Sequence, residues 1–90
     1  MRTLQSTNRF KRDLLRILKR GKSRGAITEV ISILLEGKRL PAKNRDHKLA
    51  GNYHYCRECH IEPDWLLIYR LTDTRLILIR TGSHSDLFDE

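Results

Sequence analysis

The chain has 90 residues, 39% hydrophobic and 32% charged, with a net charge of +7 and an isoelectric point near 9.9. That length gives one small domain, residues 1–90, with a single modest core, and the composition excludes a disordered polyampholyte. No apolar run approaches the roughly 20 residues a bilayer-spanning helix needs, so no membrane role is expected.

The charge is unevenly placed. Residues 1–24 hold nine of the 18 Lys and Arg and one acid, Asp13, giving +8, whereas residues 25–90 come to −1. The positive field therefore belongs to the N-terminal quarter and points to a polyanionic partner. A solvated helix face and a helix lying on an anionic membrane are the competing readings. The same segment lacks the uninterrupted apolar stretch of a secretory signal, so a cytoplasmic protein with reduced cysteines is expected.

Arg2–Ser6 can form a short first strand. Thr7 or Asn8 can cap a helix in which Phe10, Leu14, Ile17 and Leu18 recur at helical spacing, and Gly21-Lys22-Ser23 breaks it. A second helix runs to about Glu36, with Ile27, Val30, Ile31, Leu34 and Leu35 as its apolar stripe and Gly37 as its stop. Lys38 to Asp46 is polar, contains Pro41 and reads as a loop. Three strands follow, at 53–61, 65–71 and 76–81, with Glu62-Pro63-Asp64-Trp65 and Thr72-Asp73-Thr74-Arg75 as the reversals. The strands LLIYRL and LILI are apolar enough to require a cover, and the helical hairpin is the available one. The pattern predicts an α+β fold: an N-terminal helical hairpin packed on a small antiparallel sheet.

Within YCRECHIEPDW, Cys56 to His60 matches C-x-x-C-H. Haem attachment ordinarily follows export, and Met1 is the only methionine. Zinc could draw on Cys56, Cys59 and the histidines, but cysteines three apart on a strand point to opposite faces, while Cys56 and His60 share a face about 13 Å apart. A redox pair needs a cysteine at a helix N-terminus, which the context does not supply. The cysteines read best as small strand residues, with a redox sensitivity left open, and neither metal nor cofactor is expected.

Topology gives His60 and Asp64 more weight. In an antiparallel meander the end of the 53–61 strand, the start of the 65–71 strand and the end of the 76–81 strand share one edge. His60, Asp64 and His84 therefore converge on one rim, with Arg80 close behind. Imidazoles that titrate near neutrality beside a carboxylate and a cation suit RNA phosphodiester cleavage, in which the 2′-hydroxyl is a built-in nucleophile and no metal is required. Taken singly, each is equally a polar loop residue held by a turn.

DHKLAGNY, RECHIEPDWLLIYRLTD and RTGSHSDLF, in this order and spacing, resemble the YafQ branch of the RelE-type toxins of bacterial toxin–antitoxin systems. The likeness is weak in the helices and strong from Asp46 onward. It implies a RelE-like, microbial-RNase-like fold and a ribosome-dependent endoribonuclease that cuts mRNA in the ribosomal A site. It also implies a small antitoxin that neutralises the toxin. His47, His60, Asp64 and His84 fall on the family's catalytic positions. On this reading His84 is the general acid, His60 and Asp64 lie on the base side, and His47, which enters on resemblance alone, assists. Trp65 and Phe88 fall on positions linked to activity, by stacking or by shaping the site. Arg80 is a candidate phosphate clamp, although a strand arginine can equally pair with an acid. Arg9, Lys11, Arg12, Arg16, Lys19 and Arg20 would bind 16S ribosomal RNA. The alternative is a non-catalytic basic module that binds rRNA or protein through the same residues.

Overall fold

The protein is described here by a computed structural model covering residues 1–88. Strand β1 (Thr3–Ser6) leads into helix α1 (Asn8–Lys19), whose first turn is capped by Thr7. The Phe10 N–H donates to Thr7 Oγ1 at 3.0 Å, and the Thr7 hydroxyl donates to the Ile79 carbonyl at 2.7 Å, so the cap also docks the helix on the sheet. Helix α2 (Arg24–Leu35) follows a tight break at Gly21, whose φ of 97° suits a residue without Cβ. A 3-10 turn (Ala42–Asn44), strand β2 (His47–Lys48) and a second 3-10 turn (Gly51–Tyr53) then lead to β3 (Arg57–Glu62), β4 (Trp65–Leu71), β5 (Arg75–Gly82) and the short helix α3 (His84–Phe88).

The five strands form one sheet in the order β1-β5-β4-β3-β2. The β3–β4 and β4–β5 pairings are antiparallel, as expected; an unexpected short strand, β2, adds a third antiparallel pairing, and β1 lies parallel to β5 and makes the sheet mixed. The reason is connectivity: α1 carries the chain over the sheet, and the helical hairpin with its following loop brings it back on the far side. The expected strand at 53–61 is displaced. Its first residues form a 3-10 turn, and pairing begins at Arg57. Strand β4 runs over 65–71 as read from the sequence.

One face of the sheet carries the main core. Phe10 and Ile17 of α1 and Ile27, Val30 and Leu34 of α2 pack there on Cys59, Trp65, Leu67, Tyr69, Leu76 and Leu78. The opposite face has a thin apolar cover in which Leu66, Ile68 and Leu87 are buried, with Leu49, Tyr53, Cys56 and Ile79 around them. Strand alternation thus separates the two cysteines, Cys59 inward and Cys56 outward, as predicted. Burial pushes the Cys59 thiol up to about 12 and raises that of Cys56, so neither is biased towards thiolate.

Asp13 joins α1 to β5. This buried carboxylate accepts from Arg80 Nε and Nη2, each at 3.0 Å, and from the Thr81 N–H at 3.3 Å. It satisfies both a buried guanidinium and a strand-edge donor beyond the end of β1. Removing it leaves Arg80 charged and unpaired in the interior, the costly half of any buried ion pair. Asp13→Ala is expected to lower the unfolding free energy by about 3–5 kcal/mol in urea titrations, against well under 1 kcal/mol for Asp73→Ala at an exposed turn.

Candidate active site

Strand alternation sets the polar side chains of β3 against the thinly covered face. Cys59 points to the main core, so Glu58 and His60 point the other way, opposite Ile68 and Leu66 of β4. His47, across from Glu58 on β2, shares that face. The β3–β4 turn presents Asp64, and α3 starts at His84 directly after β5. These elements bring the residues together. Ring centroids of His60 and His84 are 5.8 Å apart, and those of His47 and His60 are 6.5 Å apart.

Asp64 engages His84 rather than His60, which corrects the expected grouping on the base side. Its Oδ1 accepts from the His84 ring at Nδ1, 2.5 Å away, and from the His84 backbone N–H at 2.9 Å. These bonds hold the Asp64 carboxyl below its usual range, the backbone donor first and the ring second. An ionised carboxylate only accepts, so the Nδ1 atom of His84 carries the hydrogen and Nε2 is presented outward. The same argument applies to His47, whose Nδ1 lies 2.7 Å from the Arg45 carbonyl. Arg45 itself is left-handed at φ 46°, held by the turn that delivers His47.

The remaining expectations divide. Phe88 is exposed and stands four residues after His84 on α3, on the same side of the helix. Trp65 is fully buried on the helix side of the sheet, at the foot of the turn that carries Asp64, and its Nε1 donates to Thr81 Oγ1 at 2.9 Å. Arg80 makes the pairing with an acid that was the alternative to a phosphate clamp. It is 6% exposed and two of its guanidinium nitrogens are committed to Asp13. Arg9, Lys11, Arg12, Arg16, Lys19 and Arg20 all lie on the exposed side of α1 and its C-terminal turn. Arg20 also works internally: its Nη1 and Nη2 donate to Asp86 at 2.6 and 2.9 Å, and Arg16 Nη1 stands 3.8 Å from the same carboxylate.

Several features went unread in the sequence. Helix α3 is fixed by a reciprocal cap, Ser83 N–H to Asp86 Oδ2 at 3.0 Å and Asp86 N–H to Ser83 Oγ at 3.1 Å. The signal was present as Ser83-His84-Ser85-Asp86 before Leu87-Phe88. Gly82 is required beside it, because a Cβ there would lie 2.8 Å from Asp86 Cβ. Asn44 ties the loop before β2 to β3, its Nδ2 donating to the His60 carbonyl at 2.8 Å. Asp46 does the same through Arg57 and the Tyr69 hydroxyl. Between that loop and the β3–β4 turn lies a cleft of about 390 Å³ bounded by Lys43, Arg45, His60 and Pro63, which gives His60 an open, cationic neighbour. Glu58 was also missed, although an acid two positions before His60 on a strand shares its face. Among the described residues, no group of three or more His, Cys, Asp or Glu side chains is placed to hold a metal ion, and no helix is long and apolar enough to cross a membrane.

The family model described as "Bacterial toxin of type II toxin-antitoxin system, YafQ" matches residues 2–89. The mRNA interferase toxin YafQ of Escherichia coli strain K12 is 36% identical over 88 residues, which are 97% of this chain and 96% of that protein. The fold superposes with a TM-score of 0.91 on a chain of the Escherichia coli DinJ–YafQ complex, 36% identical, covering 98% of this chain and 99% of the other. A metal-bound toxin from Helicobacter pylori matches with the same score at 37% identity, covering 98% of this chain and all of the other.

The tie between α1 and α3 has a pH signature. Arg20 is the largest cause of an Asp86 carboxyl held far below its usual range, with the Ser83 donors adding to it. A depressed folded value means that the stabilisation is complete above the unfolded value of about 3.9 and is lost as pH falls below it. The difference in urea midpoint between wild type and Arg20→Ala should be largest near pH 6 and shrink steadily below about pH 4. A difference as large at pH 2.5 as at pH 6 would show that the ion pair is not the tie.

Proposed function

The chain belongs to the YafQ family of bacterial type II toxin–antitoxin toxins, and on that premise we propose that it is an mRNA interferase. It cuts translated mRNA in the ribosomal A site, and a cognate antitoxin neutralises it. Residues 1–90 act as one toxin domain. The observation that carries this reading is the convergence of His47, His60 and the Asp64–His84 pair on one open rim, from two strands, a turn and a helix start.

The proposed reaction is metal-independent transesterification. A base removes the proton from the ribose 2′-hydroxyl, O2′ bonds to phosphorus, and the P–O5′ bond breaks as an acid protonates the departing O5′. The products are a 2′,3′-cyclic phosphate and a 5′-hydroxyl end. His84 is the acid: Asp64 fixes its ring through Nδ1, which leaves Nε2 to face the departing O5′. His60, 5.8 Å away between the other two rings, is the base, with His47 beside it. Lys43 and Arg45 line the cleft beside His60, which supports them as cations to meet the phosphate charge. Phe88 is placed to stack on a base near His84.

The ribosome supplies the substrate in position, so the toxin needs a docking surface as well as a reactive rim. The exposed face of α1 with Arg9, Lys11, Arg12, Arg16 and Lys19 suits ribosomal RNA, and Arg20 adds its charge while holding α3. An antitoxin of complementary, locally acidic character would compete for the same field.

Two experiments test this. Mapping mRNA 5′ ends after induced expression should show cuts only in translated frames, and His84→Ala should lower cutting by about 10²–10⁴-fold while leaving ribosome binding intact. Cuts in untranslated transcripts, or full activity in His84→Ala, would refute the mechanism. Separately, Arg12→Glu with Lys19→Glu should weaken ribosome association and reduce the slope of log affinity against log salt by about one to two charges. Binding with an unchanged salt slope would remove α1 from the interface.

A further inference from the structure

We propose that the loop between β2 and β3 carries a second RNA contact, a platform of Tyr55, His54 and Arg70 on which an unpaired nucleobase stacks; the inference rests on the function proposed above and adds a binding site to it. The loop is closed at its neck and braced inside. Leu49 N–H donates to the Cys56 carbonyl at 3.0 Å, Cys56 N–H to the Tyr53 carbonyl at 2.8 Å, and His54 N–H to the Gly51 carbonyl at 3.1 Å. Leu49 and Tyr53 pack inward on Leu66 and Ile68, while His54 and Tyr55 are left outside. Tyr55 is 71% exposed. Its ring centroid lies 3.8 Å from that of His54, and the Arg70 guanidinium stands 5.6 Å from it, within cation–π reach. Arg70 is exposed near the end of β4, on the face of Leu66 and Ile68, with no carboxylate at ion-pair distance among the described residues.

The surroundings select the partner. A hot spot for another protein sits among further apolar side chains, whereas the exposed loop residues beside Tyr55 are Ala50, Gly51, Asn52 and His54. Met1, Leu4 and Leu15, which are also exposed, lie at the N-terminus, on β1 and on α1. A lone aromatic ring beside an unpaired guanidinium suits RNA: the ring stacks on the π-face of a base, and the cation meets a neighbouring phosphate. His54 adds a polar edge. Its Nδ1 lies 3.0 Å from the Gly51 carbonyl, which only accepts, so Nδ1 carries the hydrogen and Nε2 is left for a base. Position agrees with this. Of the Phe, Tyr and Trp side chains among the described residues, Tyr55 and Phe88 are the exposed ones, and both belong to elements covering the thin face. The β3–β4 register brings Arg70 opposite Cys56, four residues and about 13 Å along the sheet from His60. A strand with its scissile phosphate among the imidazoles reaches the platform within a few nucleotides.

Binding measurements in the non-cutting His84→Ala background test the platform with two probes, vacant ribosomes and an unstructured oligoribonucleotide. Tyr55→Leu keeps apolar bulk and loses the π-face, whereas Tyr55→Phe keeps the face. Tyr55→Leu should weaken binding to at least one probe by about fivefold or more, and Tyr55→Phe should bind like its parent. Arg70→Gln should weaken the same probe and lower its salt slope by about one charge. A loss on vacant ribosomes assigns the base to ribosomal RNA, and a loss on the oligoribonucleotide assigns it to the message. Equal binding of Tyr55→Leu and Tyr55→Phe to both probes would overturn the proposal. So would intact RNA binding by Tyr55→Leu with weakened binding of the cognate antitoxin, which would make this face a protein contact. A wild-type protein that cuts no translated mRNA would sink the functional reading itself. A wild type that cuts, beside a Tyr55→Leu variant with undiminished RNA affinity, would sink the platform alone.

Discussion

The geometry of the rim depends on how α1 is fixed against β5, and that is the work of Asp13. An ion pair buried between Asp13 and Arg80 is not the most stabilising way to fill the interior, since apolar packing of similar volume does as well. What three hydrogen bonds to one carboxylate do provide is a defined position for α1 along and across the strand. The consequence is felt about two turns later, at the C-terminal end of the helix. Arg20 reaches Asp86, and Asp86 caps α3, whose first residue is His84. A single helix thus positions both ends of the β5–α3 segment. Arg80 thus anchors the helix that reaches the start of α3 at His84.

The sheet divides labour by face. Helices α1 and α2 cover one side completely, and the large residues of β4 that face them, Trp65, Leu67 and Tyr69, are fully buried. On the other side the buried apolar residues, among those described, are Leu66, Ile68 and Leu87, beneath a ring of partly exposed neighbours. Histidines placed on the covered face would be desolvated and inaccessible. On the thin face they sit at the boundary of an apolar floor and open solvent, where ring orientation can be fixed from below and substrate can approach from above. Side-chain exposure follows this plan, from 14% for His60 on the floor to 42% for His84 and 49% for His47 at the margins.

How much of this was legible depended on whether the signal was local. Strand β4 was read to the residue because its apolar run is bounded by two turn signatures, and the caps of α1 and α2 follow from Thr7, Gly21 and Gly37. The convergence of His60, Asp64 and His84 needed only strand order and the alternation of a meander. The misses are tertiary. Strand β2 has two residues and no periodicity of its own; it exists because Asp46 and Asn44 tie its loop to β3 and β4. The parallel docking of β1 is decided by where a helical hairpin returns the chain, which no local pattern records. For Trp65 and Arg80 the sequence left two readings open, and the burial that bears on them is set by distant partners on α1 and β5.

The basic segment and the rim are one continuous surface rather than two separate features. Arg16 and Arg20 lie on the same side of α1 as the route to α3, within ion-pair distance of Asp86, and Asp86 is two residues from His84. The acid cancels one of those charges and the helix retains the rest, so the positive field of residues 1–24 extends to the edge of the site without placing a free guanidinium inside it. That arrangement suits a polyanion held by its backbone charge along α1 and presented by direction to the imidazoles. It also explains why the acidic count can be nearly balanced from residue 25 onward. The carboxylates at this edge are each committed to a partner, Asp64 to the His84 ring and Asp86 to Arg20.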